Sequence, residues 1–304
     1  MPIEHITAAV DLGKSRCRVA VITPDGRDTH TGDGTPGLAA VDGVDHAAAA
    51  ILKLLEKAGP EKAGRMDGLG VGAAGAWTAP DAAAALARLL ADALGAPVAV
   101  ASDVVTAHVG ALGGAPGTLL IAGTGAVALG ADAEGLRLVD GWGPDLGDFG
   151  SGSWIGREGT RAVLRARDGL GPETMLTDAV RAHVAPHPDP VTWLAAGIAT
   201  ARQLATIAPL VLDAAAAGDV VASDIAAEAV RLLTSTALAA SDRVVDVAIH
   251  GGLTDHSWFR AGLERSLTAA GGTIVHPAGD AFDGAAHLVH RTDMPHERFV
   301  HRAE

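Results

Sequence analysis

The sequence contains no tyrosine and one cysteine, Cys17, among its 304 residues. A single cysteine excludes an intramolecular disulfide, a cysteine-rich zinc site and a self-contained iron–sulfur cage, so Cys17 reads as small apolar filler in a strand. Aromatic residues make up 3% of the chain, whereas hydrophobic residues make up 48%. The interior must therefore be built from alanine, valine and leucine, and close helix–strand contacts are expected. Basic residues are scarce too. The formal net charge is -13, and all four lysines, Lys14, Lys53, Lys57 and Lys62, lie early in the chain. No basic stripe is available to release counterions from a phosphate backbone, so a nucleic-acid partner is not expected. Long apolar runs are also missing, because charges interrupt every alanine-rich segment, and no membrane span or membrane partner is expected. The first residues, Met1-Pro2-Ile3-Glu4-His5, carry an acid and no basic flank, unlike a signal peptide. A soluble cytoplasmic protein is the expectation.

What is present is a repeat. An apolar strand, a tight polar turn and a second strand run from Thr7 to Ile22, with Asp11, Gly13, Lys14, Ser15 and Arg18 around the turn. The same pattern returns from Thr118 to Gly130, with Gly123-Thr124-Gly125 at the turn. Pro24-Asp25-Gly26 closes the first copy, and Asp132-Ala133-Glu134-Gly135 closes the second. Hairpin turns that expose backbone N–H groups and short hydroxyls suit a polyphosphate gripped from two sides, which points to a nucleotide in a cleft.

The length accommodates two domains of roughly 150 residues each. Helices are expected over 45–58, 81–94 and 104–112, with strands over 66–72 and 98–101, which is α/β order. Gly113-Gly114-Ala115-Pro116-Gly117 is the expected boundary. Helices then dominate over 153–167, 174–184, 190–217 with a bend at Pro209, and 220–240. Strands over 244–250 and 272–276 flank a helix over 255–269. A last helix over 283–290 crosses back to the first domain. The expected division is 1–115, joined by about 284–304, and 116–283 with a helical insertion.

Each candidate motif admits a structural and a functional reading. Asp11-Leu12-Gly13-Lys14-Ser15 is either an ordinary Asp-x-Gly hairpin turn or a nucleotide turn. In the latter, Asp11 holds Mg²⁺ through water while Lys14 and Ser15 meet the β- or γ-phosphate. Gly123-Thr124-Gly125 is weak alone and gains from its matching place in the repeat. The stretch Gly141 to Gly156, dense in glycine, is either a tight loop with an acidic helix cap or a loop that sets Asp148 and backbone N–H groups against a polar ligand. Asp103 ends a parallel strand, where α/β proteins keep their ligands. There Ser102 or Asp103 caps the next helix, Asp103 accepts the proton of an attacking hydroxyl, or both. His250-Gly251-Gly252-Leu253-Thr254 is either a simple turn with a structural His250 or a backbone platform beside an adenosine. Gly70-Val71-Gly72-Ala73-Ala74-Gly75 has the spacing of a dinucleotide fingerprint, but Trp77-Thr78-Ala79-Pro80 interrupts before any helix can open. Its glycines are better placed lining a cleft, with Thr78 facing the substrate.

Taken together, Asp11-x-Gly13-x-Ser15-x-x-Arg18, Gly123-Thr124-Gly125, Gly147-Asp148-x-Gly150-Ser151-Gly152 with Trp154-Ile155-Gly156, and His250-Gly251-Gly252-Leu253 resemble known motifs. They are similar to the phosphate-1, phosphate-2, sugar-loop and adenosine motifs of the acetate/sugar kinase, Hsp70 and actin superfamily. Within it the chain resembles the BadF/BadG/BcrA/BcrD-type ATPases, which include N-acetylglucosamine kinases and bacterial glucosamine kinases. The resemblance covers nearly the whole chain. It implies two ribonuclease H-like, actin-like ATPase domains closing over ATP, Mg²⁺ and an amino sugar, with phosphate moved to the sugar 6-hydroxyl. It makes Asp103 the general base with Ser102 beside it at the substrate, and Trp142, Gly147 and Asp148 sugar contacts. Asp11, Gly13, Lys14, Ser15, Arg18, Gly123, Thr124, Gly125, Gly251 and Gly252 become nucleotide contacts, with Asp11 at the metal. Three positions depart from the pattern: Lys14 stands where glycine is common, Ala126 where serine is, and Phe149 where glutamate is. The acidic surroundings of Asp103 and Asp148 suit a free ammonium, so glucosamine is the expected acceptor. N-acetylglucosamine, another hexose, or a non-catalytic sugar or nucleotide sensor are the alternatives. Dehydratase activators of this superfamily hold an iron–sulfur cluster on paired cysteines, and zinc sugar kinases use a cysteine cluster, so a chain with Cys17 alone fits neither. Room remains for a homodimer.

Overall fold

The computed structural model describes residues 6–59, 66–197, 200–241 and 246–304. The chain divides into two compact units. One holds Met1–Pro116, Ala131–Leu136 and Pro277–Glu304, and the other holds Gly117–Gly130 and Arg137–His276.

In the first unit the run Ala8-Ala9-Val10 is buried on both faces, the mark of a central strand in a sheet covered on both sides. This strand, β1 (Thr7–Leu12), pairs antiparallel with β2 (Arg16–Thr23), which pairs antiparallel with β3 (Gly26–Asp33). On its other side β1 runs parallel to β4 (Gly68–Ala73), and β4 runs parallel to β5 (Val98–Ala101). Polar, largely exposed residues make up β3, so no alternation announced it, and it forms an edge of the sheet.

The second sheet contains β6 (Gly117–Ala122), β7 (Ala126–Asp132), β8 (Gly135–Asp140), β9 (Asp246–His250) and β10 (Thr273–Val275). Its order, β10-β9-β6-β7-β8, repeats the order β5-β4-β1-β2-β3 of the first sheet strand for strand. The sequence repeat is thus a repeat of topology. The first sheet gains one further strand from the C-terminus, β11 (His301–Ala303), antiparallel to β5.

Helices α1 (Gly43–Lys57) and α2 (Pro80–Leu94) are amphipathic and bury Ile51, Leu54, Leu55, Leu86 and Leu90 in one core with Val10, Leu12 and Val19. Helix α3 (Asp103–Leu112) follows β5 directly. In the second unit come α4 (Gly152–Arg167), α5 (Leu176–Val184), α6 (Pro190–Ala195), α7 (Thr200–Ala205), α8 (Ala208–Ala216), α9 (Val220–Ala239) and α10 (Ser257–Ala269). Helix α11 (Ala281–His290) belongs to the first unit and lies so close to β4 that a Cβ on Gly70 would overlap the Ala285 carbonyl. Small residues thus replace the missing aromatics and let backbones touch.

Three expectations need correction. Of the helix expected over 190–217, residues 198 and 199 lie outside the described residues and the described ones form three short helices, with Pro209 in the first turn of α8, where its missing N–H costs nothing. Residues 252–255 form a 3₁₀ turn, so α10 starts at Ser257 instead of 255. Of the strand expected over 244–250, residues 244 and 245 lie outside the described residues. No single described helix is long and apolar enough to cross a membrane.

Cys17 is buried in β2, and burial, with the Asp11 charge adding to it, pushes its thiol up to about 12. The thiolate is the reactive form. Iodoacetamide should therefore leave the native protein unmodified at pH 8 and label it fully in denaturant. Rapid labelling of the folded chain would contradict this burial.

Candidate functional site

The parallel strands β1, β4 and β5 place Asp11, Gly72 and Ala101 side by side in register. Two strand spacings put Asp11 roughly 10 Å from Ala101, and Ser102 and Asp103 follow at once. Asp11, Gly13, Lys14, Ser15, Arg18, Ser102 and Asp103 therefore gather at one end of the first sheet.

Asp103 opens α3. Its Oδ1 accepts from Ser102 Oγ at 3.0 Å and from the Val104 N–H at 3.0 Å. Both bonds fall on Oδ1, which leaves Oδ2 for another donor. Burial raises the Asp103 carboxyl above the ordinary carboxylate range, the two hydrogen bonds pull against that rise, and the Asp11 charge adds to it. Ser102 occupies the N-cap position without capping, because its hydroxyl is spent on Asp103, and it is buried. Ser102 thus orients the carboxylate. Thr106 Oγ1 donates to the Asp103 carbonyl at 3.0 Å and lies where a Cβ on Gly72 would stand, so glycine at that strand end makes room for the turn carrying the carboxylate.

Asp11 faces Arg18 across the β1–β2 pair. Arg18 Nε donates to Asp11 Oδ2 at 3.0 Å and Nη2 adds a second, shorter bond to the same oxygen, while the guanidinium lies 5.0 Å from the Phe282 ring centre. Arg18 therefore holds Asp11 and is itself held by α11. Between them the Gly13 N–H closes the turn on the Arg16 carbonyl at 2.9 Å, leaving Lys14 and Ser15 exposed at the tip. Among the described residues no group of three or more His, Cys, Asp or Glu is poised for a metal. A magnesium ion carrying phosphates and waters needs only one or two protein carboxylates. Asp11, with Oδ1 outside its Arg18 contact, fits that requirement. Thr78 follows β4, and its hydroxyl donates to the Gly75 carbonyl at 3.2 Å.

In the second unit the Gly123 N–H closes its turn on the Gly125 carbonyl at 2.9 Å. The Gly123 and Thr124 carbonyls accept from Gly152 and Ser153 at 2.8 and 3.1 Å, which pins the N-terminus of α4 to this turn. Gly251, at φ 113°, runs against Ala122, where a Cβ would overlap the carbonyl oxygen. Only glycine allows this approach, and it sets the 251–252 turn beside Gly123. Gly252 has open space around it.

The glycine-rich motif points to Asp148 as a ligand contact and not to Asp140, the carboxylate that organises the loop. Asp140 is 4% exposed, and its Oδ1 accepts from the Gly141 and Asp148 N–H groups at 2.8 and 2.7 Å, its Oδ2 from Phe149 N–H at 2.9 Å. One buried carboxylate thus gathers the whole loop. Both Asp140 and Asp148 have positive φ, at 64° and 55°, a conformation Asp tolerates better than most residues. Asp148 in turn accepts from the Ala126 N–H at 3.2 Å, linking the loop to the second hairpin. Gly147 packs on Asp140 and Trp142. The loop leaves Trp142 64% exposed, edge-on to Phe149 at 6.3 Å between ring centres, with Leu146 exposed nearby in sequence. The only sequence signal for Asp140 was an acid immediately before a glycine-rich run.

Comparison with known proteins gives a consistent result. The model of the BadF/BadG/BcrA/BcrD ATPase family matches residues 9–288. An N-acetyl-D-glucosamine kinase of Dictyostelium discoideum is 36% identical over 121 residues, 38% of each chain. An N-acetylmuramic acid/N-acetylglucosamine kinase of Clostridium acetobutylicum is 30% identical over 139 residues, 45% of each. The matched stretch thus spans about two-fifths of the length of these curated relatives. A Chromobacterium violaceum structure, provisionally named an N-acetylglucosamine kinase, superposes with a TM-score of 0.75 at 27% identity, covering 95% of this chain and 100% of that one. The two-sheet α/β architecture is that of the actin-like ATPases.

Proposed function

The chain belongs to the BadF/BadG/BcrA/BcrD ATPase family, and from that premise we propose that it is an ATP-dependent kinase that phosphorylates the 6-hydroxyl of a hexosamine, with N-acetylglucosamine as acceptor. The observation that carries the reading is Asp103, a carboxylate at the C-terminal end of the parallel strands β1, β4 and β5, with Oδ1 fixed by two donors and its proton affinity raised by burial. In this reading the sugar 6-hydroxyl donates to Asp103 Oδ2. As the sugar oxygen bonds to the γ-phosphorus, its proton passes to Asp103 and the bond to the β-phosphate oxygen breaks, releasing ADP. Lys14 and the Ser15 hydroxyl and N–H meet the phosphates at one turn, and Thr124 with its flanking glycines offers the equivalent donors at the other. Gly251 and Gly252 lie beside the adenosine. Magnesium held at Asp11 would neutralise charge on the phosphate oxygens.

The kinase names among the relatives support an N-acetylated acceptor. So does the exposed apolar surface of Trp142 and Phe149, which suits an acetyl methyl better than an ammonium. Free glucosamine is the second reading, favoured by the acidic pair Asp11 and Asp103. Its other support, Asp148, weakens because that carboxylate accepts from Ala126 within its own unit. ADP release with N-acetylglucosamine, glucosamine and glucose compared side by side decides between them. Turnover of N-acetylglucosamine at least tenfold more efficient than of glucosamine is expected. Use of glucosamine alone would reverse the choice, and no sugar-dependent ADP would remove the kinase.

Asp140 gives a second test of the same site. Asp140→Ala strands three backbone donors, at a cost of about 1–3 kcal/mol for each buried one left unpaired. The sugar KM should rise at least about tenfold, with the ATP KM within about twofold of wild type. Equal weakening of both would mean that Asp140 serves the fold alone.

A further inference from the structure

The first unit carries a groove of about 470 Å³ between α1 and the edge strand β3, at the same end of the sheet as Asp103 but at the opposite edge, with β4, β1 and β2 standing between β3 and the strand β5 that leads to Asp103. Its volume lies within the range of small-molecule sites. Asp33, Gly34 and Thr35 line it on the strand side, and His46, Lys53 and Lys57 on the helix side. The spacing of His46, Lys53 and Lys57 sets them on one face of α1. Lysines on a helix are ordinarily a solvated face. Three features distinguish these. First, they are two of the four lysines in a chain of net charge -13, and among the described residues neither forms an ion pair. Second, Thr35 is 94% buried by its 6% exposure, yet its Oγ1 has no hydrogen-bond partner, an uncommon condition in a folded protein. Third, the strand-side wall rests on the first hairpin turn. The Thr35 N–H donates to the Gly13 carbonyl at 3.3 Å, a Cβ on Gly34 would overlap that same carbonyl, and Gly37 lies beside the Lys14 side chain.

We propose that this groove is a second binding site, for a phosphate-bearing anion, and that its occupancy is coupled to the Gly13–Ser15 turn through residues 34–37. Lys53 and Lys57 supply the charge, His46 a ring N–H, and Thr35 the hydroxyl donor. An anion that draws the 34–37 segment toward α1 moves the support of the Gly13 carbonyl, so the site acts as an effector site for whatever the turn binds. Linkage requires the effect to be mutual. The proposal is independent of which sugar the enzyme takes.

The test is calorimetric titration of inorganic phosphate, and separately of a hexose 6-phosphate, into the full chain at fixed ionic strength with a non-hydrolysable ATP analogue present. Saturable binding by about 10 mM is expected for at least one of them. It should weaken at least about tenfold in the Lys53→Gln/Lys57→Gln double variant and severalfold in Thr35→Val, and persist in Lys14→Gln. Tighter binding of the hexose 6-phosphate would identify a sugar ester as the ligand, and equal binding a bare phosphate group. With the groove filled, affinity for the ATP analogue should change at least about threefold, and phosphate affinity by the same factor when the analogue is added. Binding unaltered by the double variant, or lost in Lys14→Gln instead, would place the anion elsewhere and overturn the site. Binding in the groove with no change in ATP-analogue affinity would overturn the coupling, and no saturable binding of either anion would overturn both.

Discussion

Asp103→Asn should lower kcat by about a thousandfold while leaving ATP-analogue affinity within about twofold, because a positioned general base contributes roughly 10²–10⁴ in rate. The amide retains an Oδ1 that can accept from Ser102 and Val104, so the turn into α3 survives and only the proton acceptor is lost. The pH profile supplies the sign. In the proposed reaction Asp103 works ionised, and its carboxyl lies above the ordinary aspartate range, so activity should fall on the acid side at a higher pH than a solvated aspartate would give. That acid limb should vanish from the residual rate of the variant. Stability runs the other way. A carboxyl whose pKa is higher folded than unfolded costs stability when ionised, a cost that appears as pH rises above the unfolded value. The neutral amide should therefore leave Tm at neutral pH unchanged or raised. An inactive variant with a much lower Tm would mean that Asp103 is structural.

Gly284→Ala should produce the largest loss of stability. Gly284 of α11 meets Thr106 and Gly110 of α3, and a Cβ there would overlap the Thr106 carbonyl and crowd the Gly110 N–H. Backbone cannot yield as a side chain does, so the helices must part. Overpacking of this kind costs about 3 kcal/mol or more, a fall in Tm of roughly 6–12 °C for a unit of this size. Activity should drop as well, since Asp103 stands in the first turn of α3. Gly262→Ala in α10 is the control. A Cβ there meets nothing closer than 3.8 Å, so the substitution should be neutral or stabilise by about 0.5–1 kcal/mol through helix propensity. Equal destabilisation by both would mean that the α3–α11 contact is not close.

The fold was legible where hydrophobic patterning and repetition acted together. Thr7–Leu12 and Gly117–Ala122 carry apolar runs bounded by glycine turns, and their duplication reported the shared strand order. The edge strands Gly26–Asp33 and His301–Ala303 were not legible, because an edge exposed to solvent needs no apolar alternation. The break-up of 190–217 into three helices was hidden for a different reason. Alanine-rich sequence favours helix at nearly every position, so tertiary contact decides where it stops. At the site, residue types on short turns were readable, whereas partners supplied by distant residues were not. Arg18 read as a phosphate contact, and its pairing with Asp11 follows from strand register. Asp140 gathers N–H groups as many as nine residues along the chain, and no local motif encodes that.

The most direct test of the account is phosphorus NMR of the product formed by the wild-type protein from ATP and N-acetylglucosamine. The account predicts a single sugar phosphate whose phosphorus couples to the C6 methylene protons, formed in step with ADP. Inorganic phosphate with no sugar ester, or an ester at any other hydroxyl, would contradict it.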